Sequence, residues 1–296
     1  MFEKALVNGK VVYFPHAPPQ TVYDKPNKRG WVKKPKPDAN PLYSSVYFYW
    51  WAFLRLNTEY IQCCEQGGGG PHAQIYADFG DVRDGCRPTD DGDHFKAWWI
   101  ERGLILFAEP DVTVEVEEMA PQQSAQPDSN YLYLKVPLLG APKALARQID
   151  AIIQDEYRKR NKVFSHAMYR AAGNHQLQSL EHALRIKEAE LKMKKDSPSR
   201  KITNAMLIDE AEIRVFDKPD YKYGSDPKAA IRTKGARYLN EANTLIKNVI
   251  LGSFPDFDKK KLPRSQKPWL PKATDPHVLA CRERLAEIDR KRKAAR

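Results

Sequence analysis

Between Tyr43 and Tyr60 the chain carries eight aromatic side chains: Tyr43, Tyr47, Phe48, Tyr49, Trp50, Trp51, Phe53 and Tyr60. So much aromatic surface cannot stay in water, and this segment fixes where a core must form. The spacing of Tyr47, Trp50, Trp51, Leu54 and Ile61 puts them on one face of a helix. Ser44 or Ser45 is placed to cap that helix, which is expected to run to about Cys64, where Gly67 to Gly70 end it. Base stacking is the functional alternative for such rings, but stacking platforms sit in basic surroundings and this region is acidic. The face is therefore read as core.

A second aromatic helix is expected after the acidic stretch Asp78, Asp81, Asp84, Asp90, Asp91 and Asp93. Asp93 is a candidate N-cap, and Phe95, Trp98, Trp99 and Arg102 fall at i, i+3, i+4 and i+7. Gly103 is expected to interrupt this helix and Pro110 to stop it. Upstream, residues 4–14 read as a hairpin about Asn8-Gly9, a pair suited to the positive φ of a type I′ turn. Seven prolines between Pro15 and Pro41 make an extended arm. Residues 111–118 and 131–136 alternate strictly and read as two paired strands.

From Pro142 the periodicity is helical. Leu145, Ile149, Ile152 and Ile153 mark one helix, and others are expected over about 175–195, 204–214, 227–252 and 276–293. Gly252 suits a C′ position, with Pro255 beyond it. The fold class predicted is α+β, predominantly helical, with an aromatic, acidic N-terminal domain holding a few antiparallel strands and a helical, basic C-terminal domain. The segments expected are a hairpin and basic arm (1–42), an aromatic α+β domain (43–140), a helical basic domain (141–255) and a basic tail with a terminal helix (256–296).

Charge divides along the same lines. Residues 1–40 hold eight Lys/Arg and three Asp/Glu, residues 41–150 eight and sixteen, and residues 151–296 thirty-three and nineteen. A basic half beside an acidic one is a sign of polyanion binding, although lysine-rich helices are also ordinary solvated surface. The helix expected from Pro227 opens with Lys228, Arg232, Lys234 and Arg237 and continues with Leu239, Ala242, Leu245, Ile246 and Val249. Basic early turns with an apolar rear face suit a helix that docks on nucleic acid. The string Ile231-Arg232-Thr233-Lys234-Gly235-Ala236-Arg237-Tyr238-Leu239 resembles recognition helices of bacterial helix-turn-helix proteins, but the connection to the preceding helix is far longer than their three or four residues. Arg232, Lys234 and Arg237 are the expected groove contacts. Lys194, Lys195, Arg200 and Lys201 are the expected phosphate contacts, and Lys228, Lys259, Lys260, Lys261 and Arg264 are further expected nucleic-acid-binding residues.

No Walker loop, dinucleotide fingerprint or nucleophile elbow is present. Cys63, Cys64, His72, Cys86 and His94 show no zinc-ligand spacing, so neither metal nor cofactor is expected. Metal-dependent nucleic-acid cleavage through Asp78, Asp81 and Asp84 ranks third among the readings. No apolar run reaches membrane-spanning length and few cysteines are present, which predicts a reducing, cytoplasmic setting.

Three blocks, Tyr49-Trp50-Trp51-Ala52-Phe53-Leu54-Arg55-Leu56, Asp78-Phe79-Gly80-Asp81-Val82 and Phe95-Lys96-Ala97-Trp98-Trp99-Ile100-Glu101-Arg102-Gly103-Leu104, resemble uncharacterised bacterial proteins carried on prophages and integrative elements. The segment Asn248 to Pro255 shares in the likeness. It implies a mobile-element role and carries no catalytic residue. The leading expectation is a non-enzymatic bacterial DNA-binding, accessory or regulatory protein of a mobile genetic element, with double-stranded DNA favoured. The alternative is a protein-interaction subunit of a larger bacterial ribonucleoprotein or protein complex, as in defence against phage, docking through the aromatic domain.

Overall fold

The computed structural model describes residues 3–7, 10–19, 44–83, 92–110, 132, 134, 136, 141–159, 165, 167–171, 176–213, 227–252, 254–257 and 270–295. These residues are mostly helical, as the periodicity predicts. The chain divides into two compact units: Met1–Glu109 together with Ala167–Arg296, and Pro110–His166.

The larger unit opens with a hairpin. Strands β1 (Glu3–Val7) and β2 (Lys10–Phe14) pair antiparallel in the register Glu3↔Phe14 to Val7↔Lys10. Phe14 closes β2 with its ring fully buried against Tyr47 and Trp99. The backbone N–H of Glu109 donates to the Tyr13 carbonyl at 2.9 Å, tying the hairpin to the end of the second aromatic segment.

Helix α1 (Val46–Arg55) is the aromatic segment, and every residue from Val46 to Leu54 is buried. An amphipathic helix buries one stripe; one enclosed on all sides is the axis of a core. The expected single helix to Cys64 is instead broken at Leu56–Asn57, and α2 (Thr58–Glu65) starts afresh. Asn57 causes the break. Its Oδ1 accepts from the Tyr60 N–H at 2.8 Å, an N-cap, while its Nδ2 donates to the Ile246 carbonyl at 2.6 Å. The Ser45 hydroxyl does not cap α1 and donates to the Ala17 carbonyl at 3.0 Å.

Helix α3 (Ala73–Phe79) leads to α4 (Gly92–Trp98), a π-helical turn (Trp99–Gly103) and α5 (Leu104–Phe107). Asp93 lies inside α4, not before it. Gly103 does not interrupt the helix. It gives room to the Trp99 ring, which a Cβ at 103 would strike, and that ring stacks on Phe107 at 5.9 Å and 12°.

After the smaller unit come α7 (Leu177–Asp196), α8 (Asn204–Glu210), α9 (Pro227–Asn248) with a 3-10 turn (Val249–Leu251), and α10 (Pro276–Ala295); α6 (Pro142–Lys159) belongs to the smaller unit. Gly252 ends the 3-10 turn with φ 75°, the left-handed cap its position predicts.

One hydrophobic cluster runs from Phe14 through the aromatics of α1 to Tyr169, Leu180, Leu184, Ala242, Leu245, Phe254, Val278 and Leu285. The expected boundary near residue 140, and the separate tail from 256, are therefore corrected: the aromatic segment and the C-terminal helices share a core. In α6, Leu145, Ile149 and Ile153 are half-buried and Ile152 is 45% exposed. The predicted strand 111–118 lies outside the described residues. Of 131–136, Leu132, Leu134 and Val136 are described; they are exposed and belong to no strand. No described helix is long and apolar enough to cross a membrane.

Candidate nucleic-acid interface

Helices α7, α8 and α9 enclose a second, smaller core of Ile186, Ala189, Leu207, Ile208, Ala211, Ile213 and Tyr238. The first half of α7 (Leu180, Leu184) meets the second half of α9 (Ala242, Leu245) in the main core, whereas Ile186 and Ala189 meet Tyr238 in the smaller one. The two helices thus run antiparallel, which brings the lysine-rich end of α7 beside the basic opening turns of α9. Thr203 caps α8 by accepting the Met206 N–H at 3.4 Å. Gly235 is where α8 and α9 come closest: a Cβ there would lie 2.7 Å from the Asn204 carbonyl oxygen. The glycine that weakens α9 as an isolated helix is what lets α8 pack on it.

The candidate side chains at this end are exposed, but not equally available. Lys194 pairs with Glu190 at 2.6 Å, and Arg237 pairs with Glu241 at 2.8 Å. Lys192 pairs with Glu210 at 2.5 Å. Burial works against ionisation of Glu190, but hydrogen bonds from Lys187 and Lys194 outweigh it and hold its carboxyl below the usual range. Arg232 donates through Nε to the Lys228 carbonyl at 3.2 Å. Among the described residues, Lys195, Arg200 and Lys201 make no ion pair and stand exposed at the α7–α8 junction. Lys259, Lys260, Lys261 and Arg264 lie outside the described residues.

Helical geometry distributes Arg232, Lys234 and Arg237 around α9. At about 100° per residue, Arg232 and Lys234 stand roughly 160° apart around the α9 axis, on opposite flanks of its buried stripe. Lys234 therefore lies away from the arc that holds Arg232, Arg237 and Asn240.

A second polar constellation lies within the main core. Asp78 of α3 is fully buried, and it accepts from Arg282 of α10 through both oxygens at 3.1 and 3.2 Å. The Tyr169 hydroxyl donates to it at 2.7 Å and Gln74 at 3.2 Å. Burial first, and then the Asp78 charge, push the Tyr169 hydroxyl well above its ordinary range, so it remains a donor. Arg102, on the π turn, donates to the carbonyls of Ala77 and Asp78 at 3.1 Å and pairs with Asp289 of α10. Gly80 follows with φ 73°, and any Cβ there would strike the Arg102 guanidinium. Arg292 pairs with Glu101. These contacts clamp α10 onto the fold. Asp78 has no oxygen directed at solvent, which removes it from the acidic set a nuclease would use; Asp81 is engaged by Arg83 at 2.7 Å.

Cys63 and Cys64 are buried, and burial pushes the Cys64 thiol up to about 12. Among the described residues no group of three His, Cys, Asp or Glu could hold a metal ion. No local pattern marks the Asp78–Arg282 pair, whose members are 204 positions apart. A local sign does mark α9, where five basic residues accompany a single acid, Glu241. No protein-family model matches the chain, nor does any curated protein or solved structure.

Proposed function

We propose that this chain is a non-enzymatic nucleic-acid-binding protein, with duplex DNA the favoured partner, acting as an accessory or regulatory factor of a bacterial mobile element. The observation that carries the reading is the exposed basic end of the α7–α8–α9 cluster. Lys195, Arg200 and Lys201 project there without competing ion pairs among the described residues, next to the basic opening turns of α9. Cations not already neutralised by protein carboxylates are the ones that displace counterions from phosphates. The mobile-element role rests on the resemblance of the aromatic blocks alone.

The test is binding of the full chain to labelled duplex DNA, single-stranded DNA and RNA across a salt series. The logarithm of affinity is expected to fall linearly with the logarithm of salt. Replacing Lys195, Arg200 and Lys201 by alanine should flatten that slope by up to about 3, and replacing them by glutamate should weaken binding at least tenfold. Absence of binding to all three probes at low salt would end this reading. The alternative, a subunit of a larger protein complex, draws support from the half-exposed apolar stripe of α6 and would then lead.

A further inference from the structure

Surface helices ordinarily mix charges, as α7 does with four acids among its five bases and α10 with three among its six, whereas the short α8 carries only the acids Asp209 and Glu210. Helix α9 does not mix them. Its one acid, Glu241, lies at the edge of the buried stripe, held by Arg237. The exposed arc, about 180° wide at 100° per residue, contains Lys228, Arg232, Arg237, Asn240, Asn243 and Lys247 and no carboxylate. Small residues, Ala229 and Ala236, lie along its middle, so nothing bulky keeps a partner away from the backbone there. Over the 20 residues from Lys228 to Lys247 the face extends about 28 Å.

We propose that this face of α9 enters the major groove of duplex DNA, with Asn240 on a base edge at its centre, Arg232 against one phosphate wall and Arg237, exchanging Glu241 for a phosphate, against the other. The inference rests on the nucleic-acid reading above and narrows it to one partner and one groove. Arg232 and Arg237 are about 140° apart around the axis, on either side of Asn240, so they reach towards opposite strands while Asn240 points to the groove floor. A helix about 10–12 Å across fits a groove about 12 Å wide. Asn pairs through its amide with N6 and N7 of adenine. Asn240 is exposed, whereas the Asn243 Oδ1 already accepts from Lys187 at 2.8 Å. Duplex RNA does not fit, because its major groove is too narrow to admit side chains. Single strands do not fit either: the one aromatic of α9, Tyr238, is turned inward against the His182 ring, leaving nothing on this face for bases to stack on. Lys234 lies off the face and is assigned no contact.

The experiment is selection of bound duplexes from a randomised DNA library by the full chain, followed by affinity measurements on the selected and a scrambled duplex and by dimethyl sulfate protection of guanine N7. The expected result is a selected site containing adenine, bound roughly tenfold or more tightly than the scrambled duplex, with N7 protection beside it. Asn240→Ala should abolish that discrimination without altering the salt slope, since asparagine neutralises no phosphate, while Arg232→Ala should flatten the slope by about 1. Asn240 is exposed and alanine favours helix, so loss of folding is not the expected outcome. Binding with equal affinity to every duplex and no N7 protection overturns the groove inference and leaves the polyanion reading standing. Binding to no nucleic acid overturns both.

Discussion

Asp78 shows at the scale of one residue how burial decides role. As a sequence symbol it belongs to an acidic stretch and invites a metal. In the fold its carboxylate is saturated by Arg282, Tyr169 and Gln74, and it fixes the C-terminal helix to α3. Removing one member of a buried ion pair leaves the other charged and unpartnered, whereas replacing both by apolar groups is often neutral. Asp78→Ala should therefore lower stability by about 3–5 kcal/mol, seen as a drop in the urea midpoint. The double variant Asp78→Leu/Arg282→Met should recover most of that loss. A double variant as unstable as the single would show that the pair is valuable in itself and not merely costly to break. The same burial governs the thiols. With Cys63, Cys64 and Cys281 enclosed and their thiols pushed up by burial, all three should resist alkylation in the native protein and react on denaturation, read peptide by peptide by mass spectrometry.

At the scale of elements, what local periodicity governs was legible, and what distant partners govern was not. The bounds of α7, α9 and α10 follow from Leu spacing, Pro227, Pro276 and Gly252, all local signals. The break at Asn57 was invisible because its second hydrogen bond goes to Ile246, on the far side of the sequence. Gly235 follows the same rule: within its own helix it is a weakness, and only the proximity of α8 gives it a purpose. Alanine at 235 gains about 1 kcal/mol of helix propensity. Its Cβ, however, meets the Asn204 backbone oxygen, which cannot move without shifting α8, and overpacking costs about 1–3 kcal/mol. Gly235→Ala should thus be destabilising, with amide exchange rising first in α8. Increased protection there would show that α8 yields freely. Glu190 adds a pH dependence to α7. Its folded pKa lies below its unfolded one, so its stabilising contribution is complete above the ordinary carboxylate range and is lost as pH falls through the folded value. Glu190→Gln should remove that part of the acid-side slope in a denaturation series between pH 3 and 6, by about 0.5 kcal/mol for so accessible a cluster.

The whole molecule is where composition misled most. A basic half and an acidic half suggested two bodies joined near residue 140, since charge is a surface property and each half has apolar helices enough for a core. The aromatic rings contradict that division. Trp50 meets Phe79 and Phe107 from its own half, but also Tyr169 at 5.9 Å and Phe254 at 5.6 Å from the other. Asn57 is bonded to Ile246, and Asp78 and Arg102 find their counter-charges on α10. A fragment ending at residue 140 would expose the rings of α1 and leave Asp78 and Arg102 without their counter-charges on α10, losing both apolar burial and charge compensation. The expectation is that fragments 1–140 and 141–296 are each without native tertiary structure, with red-shifted tryptophan emission and weak near-UV dichroism in the first. In the intact chain, tryptophan emission, which reports on α1 and α4, and a label on α10 should report one coincident urea transition. A fragment 1–140 with native-like near-UV dichroism, or two separated transitions, would restore the two-body division and detach the basic helices from the aromatic core.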